Sequence, residues 1–201
     1  MTVVGVLALQ GDFEAHGRVL ERLGAQARVV RESADLDGLD ALVIPGGEST
    51  TMSLGIEREG LAEPLRAVVR AGTPVLGTCA GLIMLDRDHL DLLDMRARRN
   101  AFGRQVASFE EELDLPLGDA FAGSPPVRAV FIRAPWVEEH GEVIDVLASV
   151  DGHPVAVRHG DILAVAFHPE ITGEDRLHRW LVERAAARRT GPTPAPAHEA
   201  A

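Results

Sequence analysis

Residues 3–9 form an unbroken apolar run rich in valine and leucine, with no polar residue alternating between them. Such a run reads as a strand covered on both faces, and residues 13–23 then read as a helix. Residues 26–30 and 41–44 read as the next two strands, the second ending abruptly in Pro45-Gly46-Gly47. A helix is expected over 61–71 and a short strand over 74–77. Because β and α units alternate, the expected architecture is an α/β sheet layered between helices on both faces.

From Phe131 onward the rhythm changes. Apolar runs at 143–150, 155–158 and 162–167 are separated only by Asp151-Gly152-His153 and His159-Gly160-Asp161. A parallel crossover needs about a dozen residues or more, so these runs are expected to form an antiparallel meander appended to the sheet. The third run delivers His168 at its end. Residues 173–188 read as a closing helix. The Pro/Ala-rich stretch 190–201 has too little apolar surface to order itself, which leaves 1–189 as the folded domain. No internal repeat is visible.

Composition narrows the reading. A chain of 201 residues that is 46% hydrophobic suits one compact α/β domain, or at most two small ones, with ample core. Its single cysteine cannot form an internal disulfide, and Cys-rich zinc sites are excluded. The formal charge of −11 argues against a broad polyanion-binding surface, so nucleic acid is not an expected partner. Local basic residues, Arg96, Arg98, Arg99 and Arg104, remain candidate ligand sites. The amino terminus is unlike a signal peptide, and no segment approaches the roughly 20 apolar residues that cross a bilayer. A cytoplasmic protein without membrane contact is expected.

The lone thiol lies in Gly77-Thr78-Cys79-Ala80-Gly81. A nucleophile at the tip of a sharp strand-to-helix turn needs flanking residues without side chains, which gives the pattern G-x-nucleophile-x-G. The start of a helix also favours thiolate over thiol. A lone cysteine is otherwise most often a small buried hydrophobe, and a base is needed to tip the balance. The best candidate is His168-Pro169-Glu170, which follows an apolar strand. Residues two apart in an extended segment share a side, and Pro169 biases His168 toward that conformation. Glu170 can then orient the imidazole, completing a Cys79–His168–Glu170 triad. The other histidines (His16, His89, His140, His153, His159, His178, His198) show no ligand spacing, so no metal is expected. Gly46-Gly47-Glu48-Ser49 and the N–H of Ala80 can offer backbone donors to an oxyanion, Gly47 and Ala80 being the pair assigned. The same "PGGEST" stretch also reads as an ordinary turn before a Ser-capped helix.

Taken together, "GVLALQGD", "PGGESTTM", "GTCAGLI", "RRNAFGRQVASFE", "FIRAP" and "FHPE" stand in the order seen in one family. The chain resembles the glutaminase subunits of pyridoxal 5'-phosphate synthase, which are class I (triad) glutamine amidotransferases. The resemblance covers nearly everything but the tail. It implies a flavodoxin-like layered sheet with an appended antiparallel meander, and no cofactor. It implies hydrolysis of L-glutamine to glutamate and ammonia through a γ-glutamyl thioester on Cys79. Gly46, Gly47, Glu48 and Ser49 would line the glutamine pocket, with Arg99, Ile132 and Arg133 holding the substrate. The implied partner is a (β/α)8-barrel synthase subunit in a large hetero-oligomer, since a glutaminase domain leaves no room in the chain for a domain that uses the ammonia. The connection "DRDHLDLLDMRA" is shorter than in that family. Two other readings are a different cysteine-dependent enzyme of the same fold group (a glutaminase serving another synthase, or a DJ-1-like hydrolase or deglycase) and a flavodoxin-like binding module with a merely buried Cys79.

Overall fold

The structure is a computed structural model that describes residues 1–102, 108–118, 121 and 123–190. Arg104 of the basic cluster and residues 191–201 of the expected tail lie outside the described residues. In chain order the elements are β1 (Val3–Leu7), α1 (Phe13–Arg22), β2 (Gln26–Val30), β3 (Ala41–Ile44), α2 (Ser49–Arg58), α3 (Ala62–Arg70), β4 (Val75–Thr78) and α4 (Ala80–Met84). There follow β5 (Met95–Arg98), β6 (Ser108–Leu113), β7 (Val127–Ile132), β8 (Trp136–His140), β9 (Asp145–Val150), β10 (His153–His159), β11 (Ile162–Val165), α5 (Pro169–Thr172) and α6 (Arg176–Thr190).

Seven strands make one sheet in the order β2-β1-β3-β4-β11-β10-β9. The first five are parallel, while β11, β10 and β9 pair antiparallel as the short connections require. β3 and β4 are buried at every position, the state that an apolar run without alternation demands. The chain steps from β1 to β2 on one side and then to β3 on the other. Right-handed crossovers in opposite directions put α1 and α2 on opposite faces. Accordingly α1 packs on α6, and α2 on α4. That reversal opens a cleft beyond the carboxyl ends of β1 and β3, where ligands bind in such sheets.

Several boundaries differ from the apolar pattern for local reasons. β1 stops at Leu7 because Leu9 turns out of the sheet to sit against Gly55 of α2. The closing helix begins at Arg176, since Gly173, at φ 73°, ends α5 in the left-handed conformation. α6 runs to Thr190, the first residue of the stretch expected to lack order.

The hydrophobic pattern gave no element between Met84 and Phe131, yet two antiparallel ribbons, β5-β8 and β6-β7, lie there or start there. They are tied to the sheet by rings. Phe109 stacks on Phe131 with centroids 4.6 Å apart, and Phe131 meets Phe167 edge-on at 5.7 Å. Phe131 and Phe167 are fully buried, each contributing about 1.5–3 kcal/mol by leaving water. This stack brings β7 against the segment that carries His168, whose N–H donates to the Val130 carbonyl at 2.9 Å. The shortened connection is compact: the buried Asp86 carboxylate accepts from the Asp88 and Ala97 N–H groups and bonds the His89 ring at 2.7 Å. Among the described residues no helix is long and apolar enough to cross a membrane.

Candidate active site

Cys79 occupies the one-residue turn between β4 and α4, with φ 48° and ψ −103°. A side chain at Gly81 would fall 1.9 Å from the Ile44 carbonyl oxygen, and one at Gly77 would strike Leu85. Only glycine lets the turn close against β3. The left-handed backbone at Cys79 costs about 1–2 kcal/mol, which the surrounding packing must offset.

His168 follows β11 and is the N-cap of α5, with Pro169 at the first helical position. Its Nδ1 lies 2.7 Å from Glu170 Oε1. The pair meets differently from the sequence expectation. Glu170 stands in the first turn of α5 rather than two places along an extended segment, because Pro169 suits the start of a helix as well as an extended residue. The imidazole also lies beside Cys79, the two side chains meeting over Gly46, where an added Cβ would fall 2.5 Å from His168 Cε1 and 3.2 Å from Cys79 Cβ. Burial pushes the His168 pKa down, but its interactions with Cys79 and then with the Glu170 carboxylate outweigh it and raise it to about 10. At neutral pH the ring therefore carries both protons, with Nδ1–H donated to Glu170.

A cavity of about 390 Å³ opens in front of Cys79, within the range of small-molecule sites. Of the residues singled out in the sequence, Gly47, Glu48, Ser49, Cys79, Ala80, Arg99, Ile132, Arg133 and His168 line it. Gly46 and Glu170 do not: Gly46 passes beneath the imidazole, where an added Cβ would lie 2.5 Å from His168 Cε1, and Glu170 stands behind the ring. Gln10, Ile83, Asn100 and Pro135 also line the cavity; each stands inside one of the quoted motifs but was given no role of its own in the sequence.

Helix α2 is capped by Glu48, not by Ser49 as the turn reading would have it. Glu48 accepts from the N–H groups of Thr50 at 3.1 Å and Thr51 at 2.8 Å, whereas Ser49 is the first helical residue and is buried. Those two backbone bonds, Thr51 first, hold the Glu48 carboxyl down to about 2. Arg99 pairs with it at 2.8 Å in a largely solvated contact. The Glu48 N–H is taken by Gln10 Oε1. Among the described residues the N–H groups of Gly47 and Ala80 have no acceptor, and the Arg133 guanidinium has no carboxylate partner. Cys79, Asn100 and Arg133 are three of the five described non-glycine residues with positive φ, and all three line this cavity. Strain concentrated in one place marks a functional site.

A parallel 2-1-3-4 sheet carrying a cysteine elbow, a strand-end histidine and a carboxylate behind it is the class I glutamine amidotransferase fold. In a crystal structure titled only as a glutamine amidotransferase, 98% of the chain superposes on 91% of this one with a TM-score of 0.82 and 45% identity. One chain of the PurLQS structure from Thermotoga maritima, 18% identical, shares the fold at a TM-score of 0.67, with 94% of this chain and 99% of that one covered. The SNO glutamine amidotransferase family matches residues 6–187, and this chain belongs to it. Similar curated proteins include pyridoxal 5'-phosphate synthase subunit PdxT of Frankia alni, 54% identical over 90% of this chain and 93% of that one. The protein of the same name from Mycolicibacterium vanbaalenii is 53% identical over 89% and 95%.

Proposed function

We propose that this protein hydrolyses L-glutamine to L-glutamate and ammonia, and passes the ammonia to a synthase subunit that makes pyridoxal 5'-phosphate. The observation that carries the proposal is His168 held between Glu170 and Cys79 at the mouth of the cavity. The relatives named as pyridoxal 5'-phosphate synthase subunits support the choice of synthase. A binding module would have no use for a strained Cys79 beside an imidazole.

In this mechanism Cys79 Sγ attacks the side-chain amide carbon as thiolate, and the oxyanion takes hydrogen bonds from the N–H groups of Gly47 and Ala80. His168 gives its proton to the departing nitrogen, so that ammonia leaves and the γ-glutamyl thioester remains. The neutral ring then takes a proton from water as it attacks the thioester, and glutamate and the thiolate are released. Glu170 keeps Nδ1–H in place throughout. Arg133, free of any carboxylate among the described residues, receives the substrate α-carboxylate. Glu48, ionised over the whole working range and flanked by Arg99, faces the α-ammonium, with Ser49 and Ile132 shaping the pocket around them and Gly46 contributing from beneath the imidazole.

Gly46 offers a direct check of the ring position. Gly46→Ala should lower kcat by about 10–100-fold with little change in KM, because the new methyl displaces His168 from Cys79. Wild-type turnover in that variant would mean the imidazole has room to spare.

We assign the glutaminase domain to residues 1–189, within which the family match of 6–187 falls. The same proposal takes the partner to be a (β/α)8 barrel in a large hetero-oligomer. It places both in the cytoplasm, where a nucleophilic thiol stays reduced. Ammonia release from glutamine, measured with and without the synthase subunit, tests it. Release that rises severalfold on adding that subunit is the expected result. No release in either case rejects the glutaminase, and release stimulated only by a different synthase rejects the pathway.

A further inference from the structure

Behind Glu170 the structure buries two histidines that the mechanism above does not use. His16 projects from the apolar stripe of α1 formed with Ala15, Val19 and Leu20, and His178 projects from α6. Both are fully buried. Their rings meet, His16 Nδ1 lying 2.8 Å from His178 Nε2. On its other side His16 Nε2 stands 3.4 Å from Glu170 Oε2 and 3.2 Å from the hydroxyl of Thr78, the residue before Cys79. Oε1 of the same carboxylate holds His168, whereas Oε2 is buried without a well-aligned hydrogen bond among the described residues.

The charge and tautomer of this pair follow from its surroundings. The ionisable groups about His16 are Glu170 and His168 from the α5 side and His178 from α6; Arg22, at the end of α1, faces His178. Burial drives His16 down to about 3, with Glu170 opposing and the two other histidines adding to the fall. His178 is driven down to about 4 by burial and then by Arg22. Each ring is therefore neutral and has one N–H. If His16 carried its proton on Nδ1, its Nε2 lone pair would confront a carboxylate, and His178 would be left with a buried unpaired N–H. With the proton on Nε2, His16 donates to the Thr78 hydroxyl, presents the same N–H edge to Glu170 Oε2 at 3.4 Å, and accepts from the Nε2–H of His178. His178 Nδ1 is then left over only as an acceptor, and it is found unpartnered, as is Glu170 Oε2.

We propose that His16, held in its Nε2–H tautomer by His178, is a positioning residue for the glutaminase reaction. Its N–H edge, 3.4 Å from the second oxygen of Glu170, restrains that oxygen by electrostatic attraction and so keeps the first oxygen on His168. Through Thr78 the same ring touches the residue that precedes the nucleophile. The inference rests on the triad reading and extends it by one layer.

The test is steady-state glutamine hydrolysis by the full chain together with its synthase subunit. His16→Leu should lower kcat by about 10–100-fold, the scale of a small misplacement of a reacting group. KM should stay within about twofold, and the alkaline limb of kcat/KM should move to lower pH as Glu170 loosens from His168. His16→Gln, whose amide nitrogen can stand where Nε2 stood, should recover most of the turnover. In a Glu170→Gln background His16→Leu should cost nothing further, because it acts through that carboxylate. Wild-type kcat with an unmoved limb, or a loss that simply adds to that of Glu170→Gln, overturns the proposal. Should His16→Leu fail to fold, His178→Phe, which keeps His16 but frees its tautomer, is read by the same two criteria. Full activity of Glu170→Gln alone would instead sink the triad itself.

Discussion

Cys79→Ala is expected to abolish glutamine hydrolysis, lowering kcat by about 10⁴-fold or more, while the protein still folds and still binds its synthase partner. The size follows from the chemistry: without sulfur there is no thioester, and the oxyanion donors and His168 have no attacking atom to assist. Folding should survive because the side chain lost is small. Cys79 is buried, but removing one sulfur costs about 1 kcal/mol of apolar burial, and alanine accepts the positive φ no worse than cysteine. Two measurements check this. Ammonia release should vanish, and a glutamine-mimicking diazoketone, 6-diazo-5-oxonorleucine, should label the native chain once and the variant not at all. Turnover that persists in Cys79→Ala would assign the nucleophile elsewhere.

What could be read from the sequence divides along a physical line. β3 was legible because both its faces are covered, so it appears as an unbroken apolar run, whereas β2, at the sheet edge with only Val30 buried, was found at its expected bounds from its apolar and β-branched residues alone. The meander was legible from the length of its turns. The ribbons were not, since β5 (Met95–Arg98) and β6 (Ser108–Leu113) expose most of their side chains and pair with partners fixed only by tertiary folding. At the site, Cys79 and His168 announced themselves through glycine and proline, which constrain the backbone wherever they stand. Glu170 was named correctly as the neighbour of His168 but on a mistaken backbone geometry. Glu48 was placed in the pocket, yet its capping of α2 was credited to Ser49. His16 was passed over for want of ligand spacing. Its signal was a titratable side chain on an apolar helical stripe, and its partner His178 lies 162 positions away, brought near only when α6 packs on α1.

Glu170→Gln should reduce kcat by about 10²–10⁴-fold and leave KM within about threefold, because the carboxylate touches the imidazole and not the substrate. An amide of the same shape keeps the packing but removes the charge that holds Nδ1–H, and it can turn its NH₂ toward the ring and favour the wrong tautomer. The pH profile separates this role from a merely structural one. In the native protein the His168 pKa is raised from 6.5 to about 10, so the stabilisation of its imidazolium is complete below 6.5 and is lost as the pH rises through about 10. The proton needed by the departing ammonia is lost with it, and kcat/KM should fall on an alkaline limb near pH 10. Without the Glu170 charge the raising influence shrinks to that of Cys79 against an unchanged burial, and the limb should slide toward neutral pH. A variant that only loosened the fold would melt earlier and keep its limb. Unchanged kcat together with a limb still near pH 10 would take Glu170 out of the triad and leave His168 to be oriented by something else.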